Sequence, residues 1–418
     1  MTLKLDPDKI SWLGWPETKA VMAALQDPDA PNPPHFGPNA RFVGGCVRDG
    51  LLGQLVEDID IACKLAPEVT TGRLVAAGIK VVPTGIDHGT VTAVAGGHAF
   101  EITTLRHDVE SFGRHARVKF TDDWEVDAAR RDFTINALYA NADGTIFDPL
   151  GGANDLTAGI VKFIGAAEER ITEDALRILR FFRFHAWYGR GDMNAAGLAA
   201  CVQLIPLLDI LSAERVTKEI LKLVAAPQPA ATVRKMLEAG ILQHILGQAE
   251  NTDRLDRLEK IDGALGKIDP LRRLAALLPP SELNASAALR LSNGQQKRLL
   301  SLALPLPEAS PLMEGPRLTE ALYRLGRGFL VDHLLLNWAA SFAPANDESW
   351  RSFLAYIEDT PIPCFPLKGA DVVARGIAPG PKVGQILARA EKLWIKGGFP
   401  PDRNAALEFL DQAQNSKA

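Results

Sequence analysis

The segment Phe42-Val43-Gly44-Gly45-Cys46-Val47-Arg48-Asp49, with Glu57-Asp58-Ile59-Asp60-Ile61 close behind it, constrains this chain more than any other stretch. Its pattern predicts a strand over 41–43, a tight turn at Gly44-Gly45, a short helix over 47–52 and a second strand over 59–61. Two glycines ahead of a helix let the backbone approach an anion, and the helix start offers free N–H donors to phosphate. Arg48, in the first helical turn, can fork onto a triphosphate oxygen. Asp58 and Asp60 lie two apart in an extended segment, so both carboxylates project from one face while Ile59 and Ile61 take the other. Paired carboxylates on a rigid strand suit a pair of Mg²⁺ ions. A glycine turn or an Asp-x-Asp alone would be ordinary; the turn followed by the carboxylates favours a site.

Mixed α/β patterning surrounds this segment but stops near Gly165. An amphipathic helix is expected over 13–26, and the five prolines of 27–38 make a linker. Residues 91–94 and 100–104 alternate as a hairpin around Gly96-Gly97, and 135–140 pairs with 145–147 around Asp143-Gly144. A strong helix is expected over 173–188. The rest, to about 414, reads as helices broken by prolines at 227–229, 279–280, 305–316 and 361–366. No fixed-period repeat marks a solenoid. The expected fold class is α+β, a compact head followed by an all-helical remainder.

Three more groupings carry chemistry. Glu101 begins a strand that can lie beside Asp58 and Asp60, either as a third carboxylate or as an ordinary strand-end residue. Arg130 and Arg131, flanked by Asp127 and Asp132, are either a surface ion-pair cluster of little stability value or a phosphate grip oriented by acids. In the second reading Asn136 is placed to hydrogen-bond a sugar hydroxyl or a base. Asp174 and Arg177 stand three apart on the expected helix, which allows a plain salt bridge or a fixed acceptor-and-donor pair. Such a pair matches the Watson–Crick edges of cytosine and adenine and opposes those of uracil and guanine. Arg180 continues the row. Arg183 is expected roughly opposite Asp174, where it faces RNA rather than the pair. Asp87-His88 and His107-Asp108 lack the further ligands of a metal-dependent phosphohydrolase.

Composition limits the partners. The 418 residues suggest two to four structural units. With 46 Lys and Arg against 51 Asp and Glu, the net charge of −5 speaks against a generic nucleic-acid binder. Residues 169–190, however, hold five arginines against three acids, a local excess suited to one RNA end. Cys46, Cys63, Cys201 and Cys364 form no Cys-x-x-Cys pair and read as buried, reduced thiols. Neither a signal peptide nor a membrane span is expected, since no apolar run follows the charged N-terminal residues and 329–342 is interrupted by Asp332, His333 and Asn337. The expected location is the cytoplasm.

In this order, the four groupings resemble the tRNA nucleotidyltransferase/poly(A) polymerase family, the class II CCA-adding enzymes. The resemblance covers about 41–224 and resumes at Gly369-Ala370-Asp371 and Pro379-Gly380-Pro381. It implies a polymerase-β-like head (41–165), then a helical neck (166–226), body (227–342) and tail (343–418) in a seahorse shape, behind an N-terminal helix and linker (1–40). It further implies CCA addition to tRNA 3′ ends from CTP and ATP, without a nucleic-acid template and with pyrophosphate release. Carried over, the triphosphate contacts fall on Gly45, Arg48 and Arg131, the Mg²⁺ carboxylates on Asp58 and Asp60, and the base readers on Asp174 and Arg177, with Gly44 of the turn and Asn136 counted among the nucleotide-binding residues. Arg180 and Arg183 become further nucleotide contacts, and the neck selects the base while the tail binds tRNA. Two positions depart from the family pattern. Cys46 replaces a small alanine and could make the site thiol-sensitive, and Phe112-Gly113-Arg114 replaces Asp-Gly-Arg in a flexible loop that helps the switch from C to A. Poly(A) polymerase, an enzyme adding only part of CCA, and a non-catalytic tRNA-binding protein are the alternatives.

Overall fold

Helices α1 (Ser11–Gly14) and α2 (Pro16–Leu25) open the described chain. The expected 13–26 helix is thus interrupted at Trp15, whose ψ of 138° is extended because a residue preceding proline is pushed out of the helical region. Pro16 then starts α2, where its missing N–H costs nothing. The structure, a computed structural model, describes all residues except 1–2, 27–37, 87–88, 113–114, 248, 250–251, 280–288, 303, 305, 307 and 416–418, and the side chains outside 108–118. It divides into two units, Met1–Gly247 and Gln248–Ala418.

In the first unit, β1 (Ala40–Val43), α3 (Gly45–Leu51), β2 (Ile59–Cys63), α4 (Pro67–Ala76), β3 (Lys80–Gly85), β4 (Thr90–Ala95) and β5 (His98–Thr104) follow in order. A two-stranded ribbon, β6 (Arg106–Phe112) and β7 (His115–Phe120), stands apart from the main sheet. Helix α5 (Trp124–Ala129) and the short strands β8 (Tyr139–Ala140) and β9 (Ile146–Phe147) complete the sheet-bearing part. The seven-stranded sheet has the order β3-β4-β5-β2-β1-β8-β9. Only β2 and β5 run parallel; the other neighbours are antiparallel.

Strand β1 is buried along its whole length, and Phe42 is fully enclosed. The α2 residues Val21, Met22 and Leu25 are buried as well. The β4–β5 hairpin forms as expected, and Gly96 and Gly97 both take positive φ, at 57° and 85°. Residues 135–140, in contrast, do not form one strand. Thr134–Asn136 is a 3-10 turn and β8 holds only two residues. Here side-chain hydrogen bonding wins over the ladder: Asn136 is turned toward Arg48 and Asp132.

Beyond β9 the described residues contain helices and no further strand. The first unit continues with α6 (Gly152–Ala158), α7 (Ala167–Glu173), α8 (Leu176–Tyr188), α9 (Ala195–Gln203), α10 (Ala213–Val224), α11 (Ala230–Glu238) and α12 (Ile241–Leu246). The helix expected over 173–188 is two helices: α7 ends at Glu173, and Asp174 is extended, with φ −152° and ψ 105°. No glycine or proline marks that break.

The described residues of the second unit form helices and no strand. The polar residues that interrupt 329–342 lie inside it. Asp332 and His333 are each 3% exposed. Asp332 pairs with Arg272 at 3.1 Å and with Arg298 at 2.7 Å, and Asp262 pairs with Arg272 and Arg273. A separate apolar cluster packs Trp394, Ile386 and Ala390 of Pro381–Lys396 against Leu410 and Ala406 of Arg403–Asn415. No helix among the described residues is long and apolar enough to cross a membrane.

Candidate active site

Asp60 and Glu101 stand directly opposite one another where β2 pairs with β5. Strand alternation sends Ile59, Ile61, Phe100 and Ile102 into the core and leaves these two carboxylates on the other face. Asp58 is exposed and sits one residue before β2 begins. The three acids are electrostatically linked. Burial, then the charge of Glu101, with Asp58 adding to it, raises the Asp60 pKa to about 6 against the pull of Arg131 and Arg48. The strand pair therefore concentrates negative charge that a bound cation would relieve. Among the described residues no group of three or more His, Cys, Asp or Glu gathers at metal-holding distance. Two carboxylates nevertheless fit a Mg²⁺-like ion, which takes most of its shell from water and substrate phosphates.

Next to these acids, Gly44 turns the chain from β1 into α3 with φ 71° and ψ −121°, a conformation that requires glycine. The turn places Arg48 inside the protein, 7% exposed. Four of the five N–H donors of its guanidinium are taken: two by Asp49, one by Asn136 Oδ1 at 2.5 Å and one by the Tyr188 hydroxyl at 2.7 Å. The Tyr188 ring lies 4.1 Å from the guanidinium carbon. Arg48 thus arrives rigidly held, with one donor left for a ligand. Asn136 engages both ends of its amide within the protein, accepting from Arg48 and donating to Asp132 at 2.9 Å. The sugar or base contact expected of it is not the bond it makes here.

The twin-arginine segment is no surface cluster. Asp127 is 1% exposed and accepts from Arg130, Arg131 and the Tyr139 hydroxyl. Burial pushes its carboxyl upward, but Arg131, Arg130 and Tyr139 outweigh it and hold the pKa at about 2. Asp132, also buried, is opposed by desolvation and held at about 2 by Arg180, Asn136 and the Phe133 N–H. A continuous polar chain results, Arg48–Asn136–Asp132–Arg180, running from α3 to α8.

Asp174 and Arg177 do not pair with each other. The Asp174 carboxylate accepts from Arg215 of α10 at 2.7 Å and from the Leu176 N–H at 3.1 Å. Arg177 donates to Glu173 at 2.5 Å and to the Arg170 carbonyl at 2.8 Å. Each is fixed by a separate partner, and both line one cavity. Because Asp174 lies outside the helix, the expectation that Arg183 points away from it fails. Arg183 lines the same cavity and pairs with Glu219 of α10 at 2.7 Å.

That cavity, of about 590 Å³, brings together Gly44, Gly45, Arg48, Asp60, Arg131, Asn136, Asp174, Arg177, Arg180 and Arg183. Asp58 and Glu101 are not on its lining, although both act on Asp60 through charge. Arg114 and the Phe112 side chain lie outside the described residues. Eight cationic side chains line the cavity against three carboxylates, so a chain of net charge −5 keeps a strongly positive pocket. Cys46 is 1% exposed and its thiol is pushed up to about 12 by burial and by the Asp60 charge. It is an inert core thiol, which corrects the expected thiol sensitivity.

Sequence reasoning passed over Arg215, Lys222, Arg170 and Tyr188. Arg170 donates to the carbonyls of Arg130 and Arg131 and ties α7 to the twin-arginine segment. Arg215, Glu219 and Lys222 stand at i, i+4 and i+7 on α10, a charged stripe at helical spacing that could have been found.

Residues 40–162 match the poly A polymerase head domain, and residues 193–252 match the probable RNA and SrmB-binding site of polymerase A. The mouse mitochondrial CCA tRNA nucleotidyltransferase 1 is 32% identical over 379 residues, which cover 88% of this chain and 86% of the relative. The CCA-adding enzyme of Lactobacillus delbrueckii subsp. bulgaricus is 31% identical over 385 residues, 90% of this chain and 94% of that one. The crystal structure of the Bacillus stearothermophilus CCA-adding enzyme in complex with CTP superposes with a TM-score of 0.73 at 28% identity, covering 95% of this chain and 97% of that chain. Its polymerase-β-like head, its all-helical remainder and its similarity along almost the whole length together place this chain in the CCA-adding enzyme family, the CCA tRNA nucleotidyltransferases.

Proposed function

We propose that the protein adds CCA to tRNA 3′ ends from CTP and ATP, releasing pyrophosphate. The observation that carries this reading is a positive cavity that joins Asp60, on the acidic β2–β5 pair, to a fixed acceptor and a fixed donor. Asp58 and Asp60 would hold Mg²⁺, with Glu101 as a third carboxylate beside them. When bound, the ion neutralises phosphate charge and makes a nearby hydroxyl easier to deprotonate.

The chain's own residues do the rest. Gly44 and Gly45 let the triphosphate approach the backbone, while Arg48, held by Asp49, Asn136 and Tyr188, and Arg131, held by the buried Asp127, grip its oxygens. Asp174 accepts from the exocyclic amine of cytosine or adenine, and Arg177 donates to the ring acceptor beside it. Uracil and guanine present the opposite polarity, so each would set acceptor against acceptor and donor against donor. Arg180 and Arg183 add positive charge along the nucleotide. The primer 3′ oxygen then forms a bond to the α-phosphorus as the bond to the β-phosphate oxygen breaks. In domain terms, we assign catalysis to 41–165, base selection to the neck at 166–226, and tRNA binding to the tail at 343–418 behind the body at 227–342. Free thiols suit a reducing compartment, and we place the enzyme in the cytoplasm; the mouse relative is named mitochondrial.

Labelled CTP and ATP with tRNA lacking its 3′ end test the reading. Three added nucleotides and then arrest are expected, with activity lost in EDTA and restored by Mg²⁺. A long A tract would mean polyadenylation, arrest after fewer than three nucleotides a partial adder, and tRNA binding without incorporation a non-catalytic protein.

A further inference from the structure

The face of α8 that lines the cavity does not end at Phe184. Residues 176, 180 and 183 fall within about 60° of each other around the helix, and Trp187 falls on the same line one turn further. Trp187 is 38% exposed, yet its indole is pinned, because Nε1 donates to the Lys222 carbonyl at 2.8 Å. Lys222 reaches the cavity from α10, and its side chain is exposed. Among the described residues no carboxylate pairs with its ammonium. Burial, then the charges of Arg183, Lys218 and Arg180, hold that ammonium below the usual lysine range, with Glu219 opposing them.

We infer that Trp187 and Lys222 form an outer platform for single-stranded RNA, with a base stacked on the indole and its phosphate held by the ammonium. A nucleotide-sized pocket has no need of an exposed aromatic ring beyond its edge, whereas single-strand binding uses this pairing of aromatic face and cation. The hydrogen bond to Lys222 fixes the ring before RNA arrives, which lowers the ordering cost of binding. Charge complementarity selects the occupant. The platform continues a cavity in which cations outnumber acids, so a polyanion is favoured over an apolar peptide. The inference rests on the nucleotide-transfer reading for the identity of the RNA, the 3′ end of a tRNA awaiting extension.

The test reads binding rather than turnover, on the full chain, by fluorescence anisotropy with labelled tRNA lacking CCA and with no nucleotide present. Trp187→Ala should weaken tRNA binding about tenfold and leave its salt dependence and its CTP affinity unchanged within about twofold. Trp187→Phe, which keeps a stacking face, should stay within about threefold of the parent protein. Lys222→Gln should weaken binding and reduce the slope of log K against log salt by about 0.7 to 1. Unchanged tRNA affinity in Trp187→Ala and Lys222→Gln overturns the platform. So does an equal loss of tRNA and CTP affinity in Trp187→Ala, which would mean a distorted pocket. If the parent protein binds tRNA but transfers no nucleotide, the transfer reading fails by itself and these binding comparisons still decide the platform.

Discussion

The Asp174 carboxylate accepts a hydrogen bond from Arg215 at 2.7 Å across 41 residues of sequence. That bond holds an extended residue between α7 and α8 and aims an acceptor into the cavity, with Arg177 aimed independently from the first turn of α8. Arg215→Met should free the carboxylate without unfolding the chain. Discrimination of CTP over UTP should fall about tenfold, a loss of about 1.4 kcal/mol. Competition between labelled nucleotides measures it, and unchanged selectivity would remove Arg215 from the positioning role.

Asp60 sets function against stability. With its pKa raised to about 6 by burial and by Glu101, the folded chain at neutral pH carries a charge it disfavours. The stability contribution is full below about pH 4, where Asp60 is protonated in both states, and is lost as the pH rises through about 6. Asp60→Asn should therefore stabilise the protein in EDTA by about 1–2 kcal/mol at pH 7. Transfer should fall by about three orders of magnitude or more. A lower melting temperature for the variant would contradict the assigned electrostatics.

Asp127 and Asp132 act in the opposite sense. Both are held at about 2 in the folded chain, against about 3.9 when unfolded. Each stabilises the fold above about pH 4, and that stability, on the order of 2 kcal/mol each, is lost as the pH falls toward about 2. Asp132→Asn should be less stable than the parent at pH 7 and converge with it near pH 2. Urea midpoints measured across that range check the point; parallel curves would exclude Asp132.

The four cysteines should divide by burial. Cys364 is exposed, while Cys46, Cys63 and Cys201 are buried. Maleimide at neutral pH should label Cys364 at least about tenfold faster than Cys46. Mass spectrometry of the native protein reads the outcome, and early modification of Cys46 would show that the thiol is not shielded by the core.

Much of the site was legible because its residues belong to short local patterns. Gly44, Asp60 and Glu101 follow from a turn that needs positive φ and from strand alternation, both local rules. The −5 charge was legible too, though not its distribution, since the acids and bases that line the cavity come from α3, β2, the twin-arginine segment, the α7–α8 junction, α8 and α10. The break at Asp174 escaped because the local sequence favours continuous helix. It is held by a guanidinium from α10, a partner that no spacing rule reaches. Asn136 escaped for the same reason: its sequence suits a strand, and its bonds to Arg48 and Asp132 override that preference.

By itself, then, the sequence determined where strands give way to helices, which residues could hold phosphate and a cation, and which family the motifs resemble. These depend on backbone conformation and residue chemistry within a few positions. Only the tertiary structure decided which charges are buried and which partner each one keeps. It separated Asp174 from Arg177, gave Arg180 to Asp132, drew Arg183 into the cavity and pinned Trp187 to the backbone of Lys222. A buried charge must find its counter-charge wherever the packed chain supplies one, and that partner is chosen by proximity in space rather than by order along the chain.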